Sequence, residues 1–165
     1  MGIQKQRIIY LSLGSNLGEQ LRNLERCVEL ITIHVGDITG RSGVYKSDPW
    51  GFESDHTFYN ICLEVETELT PEGVMDKIFE IENLLGRTRS AGGYSDRLID
   101  IDLLFFNSTI LNSDLLIVPH PRIEERRFVL EPLAEINPAF IHPILHRSVA
   151  ELLKDCKDKN RVELI

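Results

Sequence analysis

Two aspartates inside the most apolar segment of the chain carry the clearest chemical signal. Residues 97–106 are rich in Ile, Leu and Phe and are interrupted only by Asp100 and Asp102 after the leading arginine. This length and composition predict a β-strand buried on at least one face. Because side chains alternate between the faces of a strand, both carboxylates point to one face, with Cα atoms about 6–7 Å apart. Such a pair suits oxygen ligation of a hard cation, or of two metal ions about 3.5–4 Å apart.

The same alternation assigns the other side chains of this strand. Leu98 and Leu104 are expected beside the aspartates, and the opposite face is expected in the core: Ile99, Ile101, Leu103 and Phe105. Charges in an apolar strand are costly unless they are compensated, and a divalent metal with a phosphate would compensate them. The alternative is that this face is open to water and both aspartates are solvated.

Arginines cluster between residues 87 and 127, on both sides of the aspartate strand. The loop of residues 87–96 contains Arg87 and Arg89 and leads directly into Arg97. A guanidinium group presents a rigid set of donors that suits phosphate oxygens. Phosphoryl transfer needs carboxylates that hold the metal and cations that neutralise developing charge. The alternative is that these arginines form ion pairs with the aspartates and bind no ligand.

An aromatic ring and an amide lie side by side on a second predicted strand. Residues 58–67 alternate cleanly, with Tyr59 and Ile61 on the apolar face and Phe58 and Asn60 on the other. A ring for stacking and an amide for hydrogen bonding would hold a flat heterocycle, although the local pattern by itself favours an edge position without a role. The preceding loop, residues 46–56, contains the only tryptophan, Trp50, which either covers a ligand or packs back onto the core.

The remaining elements must position these side chains. Pro119 and Pro121 hold His120 rigidly enough to contact a ligand, and Cys27 is expected in the core as a small apolar residue. The predicted strands are residues 8–13 and 115–118, with a further strand within residues 37–45 and a turn at 14–18. The predicted helices are residues 20–33, a helix from the Thr70 N-cap to about residue 85 with Gly86 as C-cap, a short helix ending at Ile136, and a last helix that starts with a capping box at Ser148.

Composition restricts the classes of protein to which the chain could belong. Its 165 residues predict one domain over 1–165, and no segment reaches transmembrane length or the pattern of a signal peptide. A net charge of -8 argues against general binding to nucleic acid or to an anionic membrane. Three scattered cysteines indicate a reduced, cytoplasmic protein.

Several of these stretches together resemble the 6-hydroxymethyl-7,8-dihydropterin pyrophosphokinase family. Arg97, Asp100 and Asp102 fall in a segment R-x-x-D-x-D-x-x-x-F, which is followed by V-P-H-P at residues 118–121. Further matching stretches are G-S-N-L at 14–17, F-Y-N at 58–60, G-R at 86–87 and R-x-F at 126–128. The resemblance extends from about Ile8 to the last helix, and therefore covers nearly the whole chain.

The resemblance implies an α+β, ferredoxin-like sandwich with a mainly antiparallel sheet and packed helices. It implies transfer of the pyrophosphoryl group of ATP to the pterin, by a cytoplasmic monomer that uses two Mg²⁺ ions. Asp100 and Asp102 would hold the metal, and together with Arg87 and Arg97 they would form the catalytic set. The implied ATP contacts are Glu82, Arg87, Tyr94, Arg97, Leu103, His120 and Arg126. The implied pterin contacts are Ser47, Pro49, Trp50, Phe58, Asn60 and Phe128.

Two other classes of function stay open from the sequence. One is a different Mg-dependent nucleotidyl or phosphoryl transferase, which would not release AMP together with a pterin diphosphate. The other is a ferredoxin-like binding module in which the aspartates are merely solvated.

Overall fold

The computed structural model describes residues 6–86 and 98–165. The strands are β1 Arg7–Ser15, β2 Asp37–Arg41, β3 Tyr45–Ser47, β4 Phe58–Thr67, β5 Asp100–Phe106, β6 Leu111–Asn112, β7 Ile117–Val118 and β8 Val162–Leu164. The helices are α1 Gln20–His34, α2 Pro71–Leu84, α3 Arg127–Ile136 and α4 Val149–Lys154, with a 3₁₀ turn at Ile123–Glu125.

A six-stranded sheet in the order β5-β1-β4-β3-β8 organises the molecule, with β2 pairing with β4 beside β3. Every pairing in it is antiparallel. Because β2 and β3 pair with successive parts of β4, they act as one broken strand. The chain therefore follows a β-α-β-β-α-β path through β1, α1, β2/β3, β4, α2 and β5.

Both faces of the sheet carry helices, but they are covered to different extents. Helices α1 and α2 pack on one face, where Leu24, Cys27 and Ile78 join the apolar side chains of β1 and β4. Helices α3 and α4 pack on the opposite face, against Tyr10 and Cys62. This second cover reaches only part of its face and leaves the end of β1, β4 and β5 that carries the aspartates open. The predicted α+β architecture, and Cys27 in the core, are confirmed.

A register shift corrects the predicted alternation of β5. The strand pairs Tyr10 with Phe105 but Leu11 with Leu103, so Leu104 is an extra residue opposite this step. As a result Phe105 lies on the α3 side of the sheet, with Tyr10 and Leu104. The expectation that Phe105 shares a face with Ile99 is wrong, because a bulge reverses the alternation that follows it.

Residues 37–45, which the sequence predicts to contain a strand, hold β2 and, after a break, the first residue of β3. The break lies at Ser42, where the Ser42 N–H donates to the Cys62 carbonyl oxygen and the Ser42 hydroxyl accepts the Cys62 N–H. These two hydrogen bonds give the backbone groups at the break their partners, and the chain can then turn into β3. Ser47 consequently lies in a strand and not in the predicted loop, and β8, which pairs with β3, has no counterpart in the sequence-based prediction.

The predicted helix ends agree with the structure where capping chemistry marks them. The Thr70 hydroxyl accepts the Gly73 N–H at 3.1 Å, and Gly86 has the positive φ of a C-cap. Ser148 and Glu151 form the predicted capping box. Strand β1 continues through Gly14 and Ser15, for which the sequence predicts a turn, and β7 begins at Ile117, two residues later than predicted. Within residues 6–86 and 98–165, no helix combines the length and apolar composition needed to cross a bilayer.

Candidate active site

The two aspartates point to the open end of the α3 face. Asp100 pairs with Gly14 and Asp102 pairs with Ser12 on the neighbouring strand. Both side chains line one pocket with an empty volume of about 490 Å³. The Asp102 side chain is 29% exposed, so it is accessible to a ligand and partly shielded from water. The prediction that both carboxylates share a face is confirmed.

Strand pairing assembles the rest of this pocket from distant parts of the sequence. Besides the aspartates, it is lined by six residues expected from the sequence: Ser47, Trp50, Phe58, Asn60, Arg126 and Phe128. It is therefore a single site in which β3, β4, β5, the 48–57 loop and the start of α3 meet.

Asn60 is fixed in the floor of the pocket. Its amide Nδ2 donates to the Ser47 hydroxyl at 2.8 Å and to the Tyr45 carbonyl oxygen at 3.2 Å. Asn60 and Ser47 are only 2% and 3% exposed. Because both amide hydrogens are engaged, Oδ1 is the atom that remains available to accept hydrogen bonds. The predicted pairing of an amide with an aromatic ring thus lies on β4, and hydrogen bonds to the adjacent strand β3 fix the amide.

Gly14 makes room for this arrangement. A Cβ atom at Gly14 would lie 3.2 Å from Asn60 Oδ1 and 3.6 Å from Phe58 Cδ1. Any side chain at this position would therefore crowd the floor of the pocket. The absence of a Cβ lets the amide and the ring lie close to β1.

Aromatic side chains form the walls. Phe58, from β4, meets Phe52 of the 48–57 loop edge-on, with ring centroids 6.1 Å apart. Phe128 lines the pocket from the first turn of α3. Phe58 and Phe128 therefore contribute from the sheet and from the helix respectively, which is suitable for holding a planar ring.

Arg126 connects the aromatic walls to the aspartates. It is 6% exposed, and its Nη1 lies 3.7 Å from Asp102 Oδ2. Its guanidinium carbon is 4.7 Å from the Trp50 ring centroid and 5.8 Å from that of Phe128. A nearly buried, permanently charged group next to a carboxylate is well placed to meet an anionic ligand.

A second cavity lies on the other side of Asp102. It has an empty volume of about 660 Å³ and is lined by Asp102, Leu103 and His120, together with Met75 and the β6–β7 segment. Asp102 therefore belongs to both cavities. Leu103 and His120 are two of the residues expected to contact ATP, and the structure places them here, beside the metal-binding candidate.

His120 is held as a neutral imidazole. Its backbone N–H donates to the Leu104 carbonyl oxygen, and its Nδ1 accepts the Arg122 N–H at 3.3 Å. Burial, reinforced by the positive charge of Arg126, lowers the His120 pKa to about 4, although Asp100 opposes this shift. With Nδ1 used as an acceptor, the neutral ring carries its proton on Nε2 and can donate from there.

Glu82 lies under the aspartate strand. It is 1% exposed, and its carboxylate accepts the backbone N–H of Ile101 at 3.2 Å, midway between the two aspartates.

Of the other predicted residues, Pro49 lines a separate groove with Asp48 and Phe52. Arg87, Tyr94 and Arg97 lie outside the described residues.

The sequence interpretation missed five residues around the main pocket, one of which is Asp48 in its lining. Ser12 and Gly14 line its floor, Phe52 lines its wall, and Arg122 contacts Trp50 from outside. Continuing the alternation of β1 from Tyr10 would have placed Ser12 and Gly14 on one face. No local pattern marks Phe52 or Arg122, because their contacts depend on how the loop folds back.

Comparison with known proteins shows the family of the chain. The sequence model of the 7,8-dihydro-6-hydroxymethylpterin-pyrophosphokinase family matches residues 10–138. The chain belongs to this family. The matched segment contains every residue of the candidate site, and it ends before α4 and β8.

Individual relatives support the family membership. The chain is 42% identical to a Bacillus subtilis 2-amino-4-hydroxy-6-hydroxymethyldihydropteridine pyrophosphokinase over 130 residues, covering 78% of this chain and 77% of the relative. It is 37% identical to the folic acid synthesis protein fol1 of Pneumocystis carinii over 150 residues, which are 91% of this chain but 20% of that protein. The chain thus spans about a fifth of the fungal relative and most of the bacterial one.

A solved structure supports the fold. The Plasmodium falciparum HPPK-DHPS, crystallised with pteroate, superposes with a TM-score of 0.76 over 91% of this chain and 44% of that chain, at 17% identity. Because the sequence identity is so low, this structural similarity is evidence for the fold alone. The predicted ferredoxin-like sandwich is confirmed.

Proposed function

We propose that this pyrophosphokinase transfers the diphosphate of ATP to the hydroxymethyl oxygen of 6-hydroxymethyl-7,8-dihydropterin, releasing AMP, as a step of folate synthesis. Membership of the pyrophosphokinase family carries the activity. The structural observation that best supports the assignment of the site is the position of Asp102. It lines both the aromatic pocket and the cavity of His120, so one carboxylate borders the spaces in which two substrates would meet.

The pterin is assigned to the pocket formed by Phe58, Asn60 and Phe128. A pterin is a flat heterocycle with an edge of N–H donors, which matches two aromatic walls and the buried Oδ1 acceptor of Asn60. Ser47 would act mainly by holding the Asn60 amide. Pro49 and Trp50 would shape the loop that closes the wall.

The nucleotide is assigned to the cavity on the other side of Asp102. Leu103 offers an apolar surface, and His120 offers an Nε2–H that stays in place over the neutral pH range. Arg126 faces the junction from the pterin side and would neutralise phosphate charge. We also assign Glu82, Arg87, Tyr94 and Arg97 to nucleotide binding, with Arg87 and Arg97 contributing to charge stabilisation.

Asp100 and Asp102 are the proposed ligands of Mg²⁺. Two carboxylates on one face of β5, partly exposed toward the junction, form a hard-oxygen donor set that fits this ion. When bound, magnesium would supply charge neutralisation on the phosphate oxygens, and a pair of ions is the arrangement we propose.

The side chains then have to position two reactants and stabilise charge. A bond forms between the hydroxymethyl oxygen and the β-phosphorus, the bond from that phosphorus to the AMP oxygen breaks, and the hydroxyl proton passes to solvent. Because bond breaking leads in a loose phosphoryl transfer, no strong base is needed. Asn60 and the aromatic walls orient the acceptor, while Arg126 stabilises developing charge.

We further propose a cytoplasmic monomer whose single domain covers residues 1–165 and whose partners are small molecules and not nucleic acids. The sheet supports one domain, because it extends from β1 to β8. Cys27, Cys62 and Cys156 carry free thiols, which supports a reducing compartment. The net charge of -8 disfavours binding to nucleic acid.

The decisive experiment is a product analysis. Purified protein is incubated with Mg²⁺, ATP and 6-hydroxymethyl-7,8-dihydropterin, and AMP and pterin diphosphate are quantified by chromatography. We expect equal amounts of the two products and none without pterin or without Mg²⁺. Release of ADP, or AMP formation independent of pterin, would refute the proposed reaction.

A further inference from the structure

The only tryptophan of the chain is held by two arginines. Trp50 lies in the 48–57 loop, and the guanidinium carbons of Arg126 and Arg122 are 4.7 Å and 5.6 Å from its ring centroid. Indole is the aromatic side chain that attracts cations most strongly. Trp50 is therefore more than an apolar wall of the pterin pocket, since it is bound to charged groups outside the loop.

One of these arginines also reaches the metal-binding candidate. Arg126 Nη1 lies 3.7 Å from Asp102 Oδ2, and Arg126 is 6% exposed. Trp50, Arg126 and Asp102 thus form a continuous chain of contacts from the loop wall to the junction of the two cavities. The positions of the Arg126 guanidinium and of the indole are therefore linked by a direct cation–π contact.

We propose that Trp50 is a positioning residue that couples nucleotide binding to pterin binding. This inference rests on the proposed function, because it assigns phosphate to Arg126 and pterin to the pocket of Asn60. When phosphate fixes Arg126, the indole stacked on it holds the 48–57 loop against the pterin pocket. The pterin then binds to a wall that is already in place, so each substrate raises the affinity for the other by the same factor.

A matched aromatic residue on the same loop allows a control. Phe52 also lines the pterin pocket, but its ring packs edge-on against Phe58, a residue of the sheet. Loss of Phe52 should therefore weaken pterin binding without changing the effect of nucleotide. Loss of Trp50 should change that effect, because the indole is the part of the loop that contacts Arg126.

The test measures a coupling factor, the ratio of pterin Kd values without and with a non-hydrolysable Mg–ATP analogue, by calorimetry. We expect Trp50→Leu to lower this factor about tenfold, from the loss of cation–π contact, and Trp50→Phe to restore part of it. Phe52→Leu should raise both Kd values and keep the ratio. An unchanged factor in Trp50→Leu, or an equal fall in Phe52→Leu, would overturn the inference.

The indole itself provides a second readout. Because Trp50 is the sole tryptophan, its emission reports the contact directly. Adding the Mg–ATP analogue without pterin should shift this emission in the unsubstituted protein, and the shift should be lost in Arg126→Met. An emission insensitive to the nucleotide would contradict the proposed chain of contacts.

The two proposals fail in different ways. If the proposed function is wrong, the unsubstituted protein releases no AMP with hydroxymethyldihydropterin. If only the coupling is wrong, AMP release is intact and Trp50→Leu retains the full coupling factor.

Discussion

Two parts of the site are held together by different forces. The strand floor, which comprises Ser12, Gly14, Ser47, Asn60, Asp100 and Asp102, is set by sheet register and by buried hydrogen bonds. The loop rim, which comprises Trp50, Phe52, Arg122, Arg126 and Phe128, is set by ring and cation–π contacts. A register cannot shift gradually, whereas individual cation–π contacts contribute about 0.5–2 kcal/mol. The floor is therefore suited to fixing the reacting groups, and the rim to adjusting as ligands bind.

The largest effect is expected from the aspartates of the strand floor. Asp100→Asn or Asp102→Asn keeps the side-chain shape but removes a metal-binding charge, and we expect AMP release to fall about 10³-fold. Circular dichroism and thermal unfolding should show that the fold is retained. Asp37→Asn, at the exposed start of β2, is the matched control and should keep full activity. Ordinary Mg-dependent turnover in the double Asn variant would remove the basis for the metal assignment.

A second large effect is expected from the buried amide. Asn60→Ala removes the Oδ1 acceptor and the donors to Ser47 and Tyr45, so the pterin Kd should rise about 100-fold and the unfolding free energy should fall by about 1–3 kcal/mol. Nucleotide affinity, measured by calorimetry, should be unchanged. Asn83→Ala, an exposed amide of α2, is the control. Equal losses for both ligands would show that Asn60 does not discriminate between the two cavities.

A smaller effect is expected on the rim. Phe128→Ala removes one aromatic wall, and the pterin Kd should rise about 30-fold, while the nucleotide Kd changes little. Phe79→Ala, at a partly exposed ring on α2, is the matched control. Titrations in which Phe128→Ala weakens both ligands alike would count against stacking and would indicate a general disturbance of α3.

The smallest effect concerns the anchoring of α3 on the sheet. The Tyr10 hydroxyl donates to Glu64 at 2.6 Å and accepts from Asn137 at 2.9 Å, next to the C-terminal end of α3. Burial, together with Glu64, raises the Tyr10 pKa from 10.0 to about 12. Between these values the unfolded chain loses the proton and the folded protein keeps it, so stability present below pH 10 is lost as the pH rises toward 12.

Tyr10→Phe separates these contributions. At pH 7 we expect the variant to be less stable by about 1 kcal/mol, from the lost hydrogen bonds. At pH 11 the difference should shrink or reverse, because only Tyr10 in the original protein is penalised there. Urea unfolding at both pH values measures it, and a constant difference would contradict the raised pKa. Pterin affinity should change little, since the network lies outside the pocket.

Much of the site could be predicted wherever a local pattern carried the signal. The period-2 alternation placed Asp100 and Asp102 on one face, and placed Phe58 beside Asn60, as the structure shows. Strand pairing, and not a local pattern, places the residues that the sequence did not predict. Ser12 and Gly14 are ordinary strand residues until the pairing with β5 and β4 brings them under the aspartates and Asn60.

The errors have equally specific causes. Phe105 was assigned to the wrong face because a bulge opposite the Tyr10–Leu11 step reverses the alternation, and one extra residue leaves no mark in the pattern of apolar residues. The break between β2 and β3 was not predicted, because it depends on hydrogen bonds between Ser42 and Cys62, 20 residues away. Nothing in the short segment of β8 indicated its pairing with β3.

The sequence by itself determined the shared face of the two carboxylates and the chemistry they favour, because alternation and residue type are local properties of the chain. The family, and the fold class that it implies, followed from the motifs that the chain shares with the pyrophosphokinases. Only the tertiary structure decided that Asp102 borders two cavities, that Gly14 leaves space for Asn60 and Phe58, and that Trp50 stacks on Arg126. Those facts depend on strand register and on the way a loop folds back, and both are fixed by contacts between residues far apart in the chain.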